Sequence, residues 1–475
     1  MMRRLIVLAC LMLLAAGPAR AKLFDPATFT LDNGLRVVVI HKPTMPAVRH
    51  MVWYRVGAMD EPRGKSGMAH LLEHLMFKGT PDHPEGAFSE IVARNGGDQN
   101  AFTGRDYTAY YQSIARDRLG LVMRLEADRM TNLRLQPKDV RKEREVVMEE
   151  RRMRVDNEPA ALLSEQMTAV LYLNHPYARP IIGYEDELAS ITPADLEAFY
   201  DTWYAPNNAI VVVSGAAKPG AVKKLAKKHY GDIPRSDLPQ RPATAPPQTE
   251  AERRVVLRHA QVGQPAFNRR YLAPSYMAGE RKYVPALNVL ADVLAGNTAS
   301  RLNKALTVKR SIATSVSAGY GGNARGMAAF GLHAVPAEDV ALDRLEKAID
   351  KEIRKVLENG VDEARVKRAK QSLVAEVVYS KDSLSGGAYI LGAALTVGRD
   401  VASVETWRQA IRDVTVADVN AAARHVLKPG RSVTGLLQKA ESGDEGPDRR
   451  RRMPDAKPGD AGRAPAPGGG PPDNP

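Results

Sequence analysis

Apolar and polar positions along the chain repeat with two periods, and the switches between them mark out its elements. Residues 28–41 read TFTLDNGLRVVVIH, two β-rich runs around Asn33-Gly34, which predicts a hairpin. Residues 47–56 alternate as a second strand-like run, and residues 57–67 are polar and turn-rich. Residues 66–80, SGMAHLLEHLMFKGT, then predict a helix with Ser66 as N-cap and Lys78-Gly79 at its end. Leu71, Leu72 and Leu75 are its core-facing positions. A helix over 85–95 stops at Gly96-Gly97, and residues 98–114 alternate as two strands joined near Gly104-Arg105. Amphipathic helices follow over 116–133, from Pro137 through PKDVRKEREVVMEERRMR, and over 160–173 and 192–204. A short apolar strand at 208–214 and a helix at 220–230 complete this first unit.

Residues 234–249 are rich in Pro, Gln and Ala without periodicity, and read as a linker. Beyond it the order repeats. Strands are predicted at 253–259, 267–272, 311–320, 327–335 and 431–437, with helices at 282–294, 301–308, 342–358, 362–379 and 416–426. This parallel predicts an internal duplication. The expected fold class is α+β, two units that are each a mainly antiparallel sheet covered on one face by helices. The units are placed at residues 22–233 and 253–438, joined by a linker at 234–252 and followed by a disordered tail at 439–475.

The first 21 residues have the pattern of a secretory signal: Arg3 and Arg4, an apolar run at 5–16, and Ala19-Arg20-Ala21 as cleavage site. That run is too short to span a membrane, and no other run approaches such a length, so no transmembrane anchor is expected. Cys10, the only cysteine, falls inside the segment. The mature chain would therefore hold any metal with His, Asp or Glu. A formal net charge of +13 implies a basic, solvated surface. No Lys/Arg cluster is interleaved with aromatics, so a nucleic-acid partner is not expected.

The chemistry concentrates in His-x-x-Glu-His, the inverzincin spacing. Residues four apart share a helix face, so His70 and His74 are neighbours and Glu73 lies beside both. Two imidazoles so placed can bind one zinc ion, and the carboxylate can take a proton from its water. The same letters also suit a helix with two surface histidines. Glu143 and Glu150 are seven apart and share a face with Val140 and Val147. Either they are buried and need a partner, or they are solvated acids of a Glu-rich helix.

Several blocks in order resemble the M16 peptidase family, the pitrilysin and mitochondrial-processing-peptidase group. They are LDNGLRVVV, VGAMDEPRGKSGMAHLLEHLMFKGT, GGDQNAFTGRDYTAYY, EREVVMEE, HPYARPIIG and YAPNNAIVVVSG, and the resemblance covers residues 27–437. It implies a zinc-dependent endopeptidase with one Zn2+ per chain. By the family's pattern His70, His74 and Glu150 are the metal ligands, Glu73 is the general base and Glu143 is a supporting acid. Asn100, Ala101 and Thr103 match the strand edge that pairs with an extended substrate. Where many members carry an Arg and a Tyr seven apart in the second half, this chain has Thr307 and Thr314. Arg301 or Tyr320 would be the substitutes. The departure implies a homodimer or heterodimer, with a heterodimer favoured in which a relative supplies that pair. The expected substrate is a peptide or unfolded protein segment, and the expected location is periplasmic if the source is Gram-negative. A non-catalytic binding subunit of the same fold is the alternative.

Overall fold

The computed structural model describes residues 22–241, 244–247 and 249–440. The signal-like segment at 1–21 and nearly all of the expected tail lie outside these.

Eleven strands form two sheets among the described residues. The first sheet uses β1 (Ala27–Thr30), β2 (Arg36–His41), β3 (Ala47–Tyr54), β4 (Asp98–Thr103), β5 (Thr108–Ala115) and β6 (Ala209–Gly215), in the order β1-β2-β6-β3-β5-β4. The second uses β7 (Arg253–His259), β8 (Ala266–Ala273), β9 (Ala313–Tyr320), β10 (Ala328–Pro336) and β11 (Ser432–Lys439), in the order β7-β11-β8-β10-β9. The hairpin expected at Asn33-Gly34 is β1–β2, with Thr30 opposite Arg36 and Gly34 at φ +90°. Without β1, the two sheets share one topology. A parallel pair (β2–β6, β7–β11) is followed by antiparallel neighbours throughout. The duplication read from element order is thus present in the strand pairing. The second unit's last strand reaches Lys439, and the Ala440 N–H donates to His259 O, so the chain stays ordered past the expected start of the tail.

Each sheet is covered on both faces, not one. Period two sends alternate residues of a strand to opposite sides. Val37 and Val39 join a core with the first unit's own helices, while Val38, Ile40 and Trp53 face Leu391, Ala394 and Leu395 of helix Gly386–Thr396. That helix belongs to the second unit. The exchange is reciprocal: Leu163, Met167 and Leu171 of helix Pro159–Tyr172 pack on Ala266, Val433 and Leu437 of the second sheet. Burial on both faces explains why every residue of β6 is buried. The linker region carries no helix or strand among its described residues, yet it is held to the first unit. Ser236 Oγ donates to Thr202 O at 3.1 Å, and Arg241 is paired with Asp60.

Helix Met68–Leu75 is shorter than the 66–80 run suggested, and Ser66 does not cap it. Gly67 takes the N-cap position at φ +86°, where a Cβ would stand 2.6 Å from Ile182 O, so only glycine fits. The Glu61 carboxylate satisfies the free N–H groups of Gly67 and Ala69 at 3.2 and 2.9 Å. Ser66 Oγ instead accepts from the Tyr184 N–H at 3.0 Å. Gly79 lies beyond the helix, in a turn bridged to Pro84. Leu71, Leu72 and Leu75 are fully buried in the first core, as their spacing predicts.

Candidate active site

Three elements meet at one point. Helix Met68–Leu75 brings His70, Glu73 and His74. Helix Pro137–Arg151 brings Glu143 and Glu150. The end of β4 brings Thr103. The second helix is seated by Val140 and Val147, both buried, and the face it shares with them carries the two acids inward.

Ligand atoms of His70, His74 and Glu150 all lie within 4.8 Å of one another. Glu150 Oε2 is 3.6 Å from His70 Nε2 and 3.4 Å from His74 Nε2. Two donors, each at ~2.0–2.1 Å from a tetrahedral zinc ion, would stand about 3.3 Å apart, so these separations suit one ion. Glu150 Oε2 is buried and makes no hydrogen bond, an arrangement that would be unfavourable unless a cation completes it. The donor set therefore fits a zinc ion.

The surrounding contacts divide labour among the acids. Glu150 Oε1 is held by Arg154 Nη1 at 2.9 Å, which leaves Oε2 for the histidines. Glu143 does not face the convergent atoms. Its Oε2 pairs with His74 Nδ1 at 3.3 Å, and its Oε1 with Lys78 Nζ at 2.6 Å. With a metal bound, an Nδ1–H held this way would leave the Nε2 lone pair of His74 free to ligate it. Glu143 therefore touches the cluster only through His74. Glu73 Oε2 accepts a hydrogen bond from Thr103 Oγ1 at 2.6 Å.

The titration of these groups reflects crowding of charge in a buried place. Burial pushes the Glu73 carboxyl up to about 7, against the Thr103 hydrogen bond and the His74 charge. Burial and then neighbouring His74 bring His70 down to about 4. For His74, burial acts downward, but the Glu143 and Glu150 carboxylates outweigh it and raise it to about 9. Burial would raise Glu150 and Glu143, yet their cationic neighbours hold both below the usual carboxylate range.

Asn100 and Ala101 do not join the cluster. Asn100 Oδ1 accepts from the Ala101 N–H at 2.8 Å, and both lie on β4, which pairs only with β5 and forms the sheet's edge. In the second unit Thr307 Oγ1 bonds back to Asn303 O, and Thr314 is exposed. Tyr320 is buried with its hydroxyl given to Pro274 O at 2.5 Å, and Arg301 faces Glu352. The Tyr320 hydroxyl is thus already engaged, and Arg301 is turned toward a carboxylate of its own unit.

Two site residues escape a reading of the sequence. Glu61 caps the motif helix from six positions upstream of Gly67, a spacing with no sequence signature. Arg154 stands four residues after Glu150, a spacing that does suggest an ion pair. It sits in a π-helical turn, Arg152–Asp156, where the Asn157 N–H bonds to Arg152 O.

Residues 36–185 match the family described as Insulinase (Peptidase family M16), and residues 190–373 match the Peptidase M16 inactive domain. A zinc protease of Helicobacter pylori, PqqE, is 30% identical over 92% of this chain and 98% of its own. An uncharacterized zinc protease of Mycobacterium tuberculosis is 32% identical over 88% of this chain and 95% of its own. The crystal structure of a protease from Helicobacter pylori superposes with a TM-score of 0.82 at 29% identity, covering 87% of this chain and 99% of that one. With the motif confined to the first of two like units, and with full-length relatives on both sequence and fold, this chain belongs to the M16 peptidase family.

Proposed function

We propose that this chain is a zinc-dependent endopeptidase that hydrolyses peptides or unfolded protein segments. The observation that carries the reading is the convergence of the buried Oε2 of Glu150, which makes no hydrogen bond, on the Nε2 atoms of His70 and His74 at 3.6 and 3.4 Å. These three residues would hold the metal. A bound zinc ion supplies a Lewis acid for the scissile carbonyl and lowers the pKa of a water. Glu73 takes the proton of the attacking water and returns it to the leaving amine. Thr103 holds that carboxylate in place through its hydroxyl. The unpaired edge of β4, with Asn100, Ala101 and Thr103, accepts an extended substrate as an added strand, an affinity that rests on main-chain bonds and asks little of sequence.

The pattern of residues 1–21 supports export, to the periplasm in a Gram-negative source. No helix among the described residues is long and apolar enough to cross a membrane. Thr307 and Thr314 favour a dimer in which a relative supplies the Arg/Tyr pair. The alternative of a non-catalytic subunit is disfavoured because His70, Glu73, His74 and Glu150 are all kept and assembled. The test is cleavage of a mixed pool of unfolded peptides, with and without an added Arg/Tyr-bearing relative. Cleavage that is lost in Glu73→Gln supports the reading. Absence of cleavage in both settings, with zinc bound, would overturn it.

A further inference from the structure

A second constellation of charge lies away from the metal cluster, where both units and the linker meet. A pocket of about 270 Å³ is lined there by Arg55, Trp203 and Asn207 of the first unit, Arg241 of the linker, and Arg325 and Gly398 of the second unit. Three guanidiniums share this small space. Arg241 and Arg325 have side chains only 14% exposed, and both engage Asp60, at 2.5 and 3.5 Å. The Arg325 backbone N–H donates to Asp106 Oδ2, which already accepts the Tyr177 hydroxyl. Arg55 is different. Its side chain has neither a carboxylate nor a hydrogen-bond acceptor among the described residues. Burial, and then Arg36 and Arg241, press its guanidinium toward losing charge.

Arg55 is half-buried, and positive charge clustered in excess of its carboxylates in a pocket partly shielded from water attracts an anion. Arginine forks are built for planar or tetrahedral oxyanions, which they grip with paired N–H donors. The volume is several times that of a water, ~30 Å³, and gives room for such a group with bridging waters. We propose that this pocket binds a small oxyanion of the phosphate class, held by Arg55 together with Arg241 and Arg325. Because its walls come from both units and the linker, a bound anion ties the three segments together. Nothing in the proteolytic chemistry requires this site, and none of its lining residues belongs to the metal cluster.

The test is thermal unfolding and titration calorimetry of the full chain with inorganic phosphate and pyrophosphate, against chloride at matched ionic strength. Wild type should gain a saturable upward shift in its melting temperature. Arg55→Gln should weaken the apparent Kd at least about tenfold, since a charge-assisted hydrogen bond is lost. Arg55→Lys should keep part of the binding, and it stands in if the Gln variant does not fold. A phosphate monoester that binds more tightly than free phosphate would assign the site to phosphate carried on a larger molecule; equal binding would assign it to the free ion. No shift beyond chloride, or an equal shift in wild type and Arg55→Gln, would overturn the proposal.

Discussion

The two oxygens of Glu150 face different partners: Oε1 is tied to Arg154, and Oε2, without a hydrogen bond, lies between two imidazoles. Glu143 performs a different service, gripping the far nitrogen of His74. The two supports differ in surroundings, and that sets their magnitudes. Glu143 is 7% exposed and is itself braced by Lys78, whereas the Arg154 side chain is 52% exposed. A partner that orients a metal-binding histidine commonly changes affinity by about 10–100-fold, so Glu143→Gln should weaken zinc binding by that much. A half-exposed ion pair is worth ~0.2–1 kcal/mol, so Arg154→Met should weaken it less than about fivefold. Competition with a chromogenic chelator ranks the two, and the reverse order would contradict these roles. At this scale the sequence is highly legible, because i, i+3 and i, i+4 spacings put Glu73 and His74 beside His70. The Glu61 cap is not legible, since its contact depends on how the loop folds back and on no local repeat.

The elements show a sharper contrast. Strands and amphipathic helices are readable from their periods, since each shows a regular apolar face to a core. Helix Gly386–Thr396, GGAYILGAALT, escapes such a reading because it has little polar face and three glycines, all unfavourable by propensity. Tertiary packing demands two of those glycines. A Cβ on Gly392 would fall 2.1 Å from the Trp53 ring, and one on Gly387 would fall 2.8 Å from Ile40. The helix lies so close to the first sheet that side chains would hold it off. Gly392→Ala should therefore destabilise the protein by about 1–3 kcal/mol through overpacking, despite alanine's better helix propensity. Gly220→Ala is the control: nothing lies within 4 Å of that Cβ, and it should be neutral or stabilising by up to ~1 kcal/mol. Denaturant titration of both variants checks the pair, and equal effects would contradict the close approach.

For the whole molecule, the exchanged helices explain why two units of modest size share their cores. Each sheet buries its second face only by borrowing a helix from the other unit. The sequence separates the units and shows their repetition, yet the exchange is hidden in it, because nothing local says which sheet an apolar helix will cover. The His70, His74 and Glu150 cluster lies entirely within the first unit, while the second lacks His-x-x-Glu-His and carries Thr307 and Thr314. If a dimer completes the substrate site, an Arg/Tyr-bearing relative should raise kcat/KM at least about tenfold, each such contact contributing about 1.5–3 kcal/mol. Full activity of the chain alone would contradict the heterodimer. The metal centre itself is tested most directly by zinc content per purified chain for wild type, Glu73→Gln and Glu150→Gln. One zinc per chain is expected in wild type and in Glu73→Gln, and its loss in Glu150→Gln. Zinc absent from wild type, or retained in full by Glu150→Gln, would contradict the assignment of His70, His74 and Glu150 as the metal ligands.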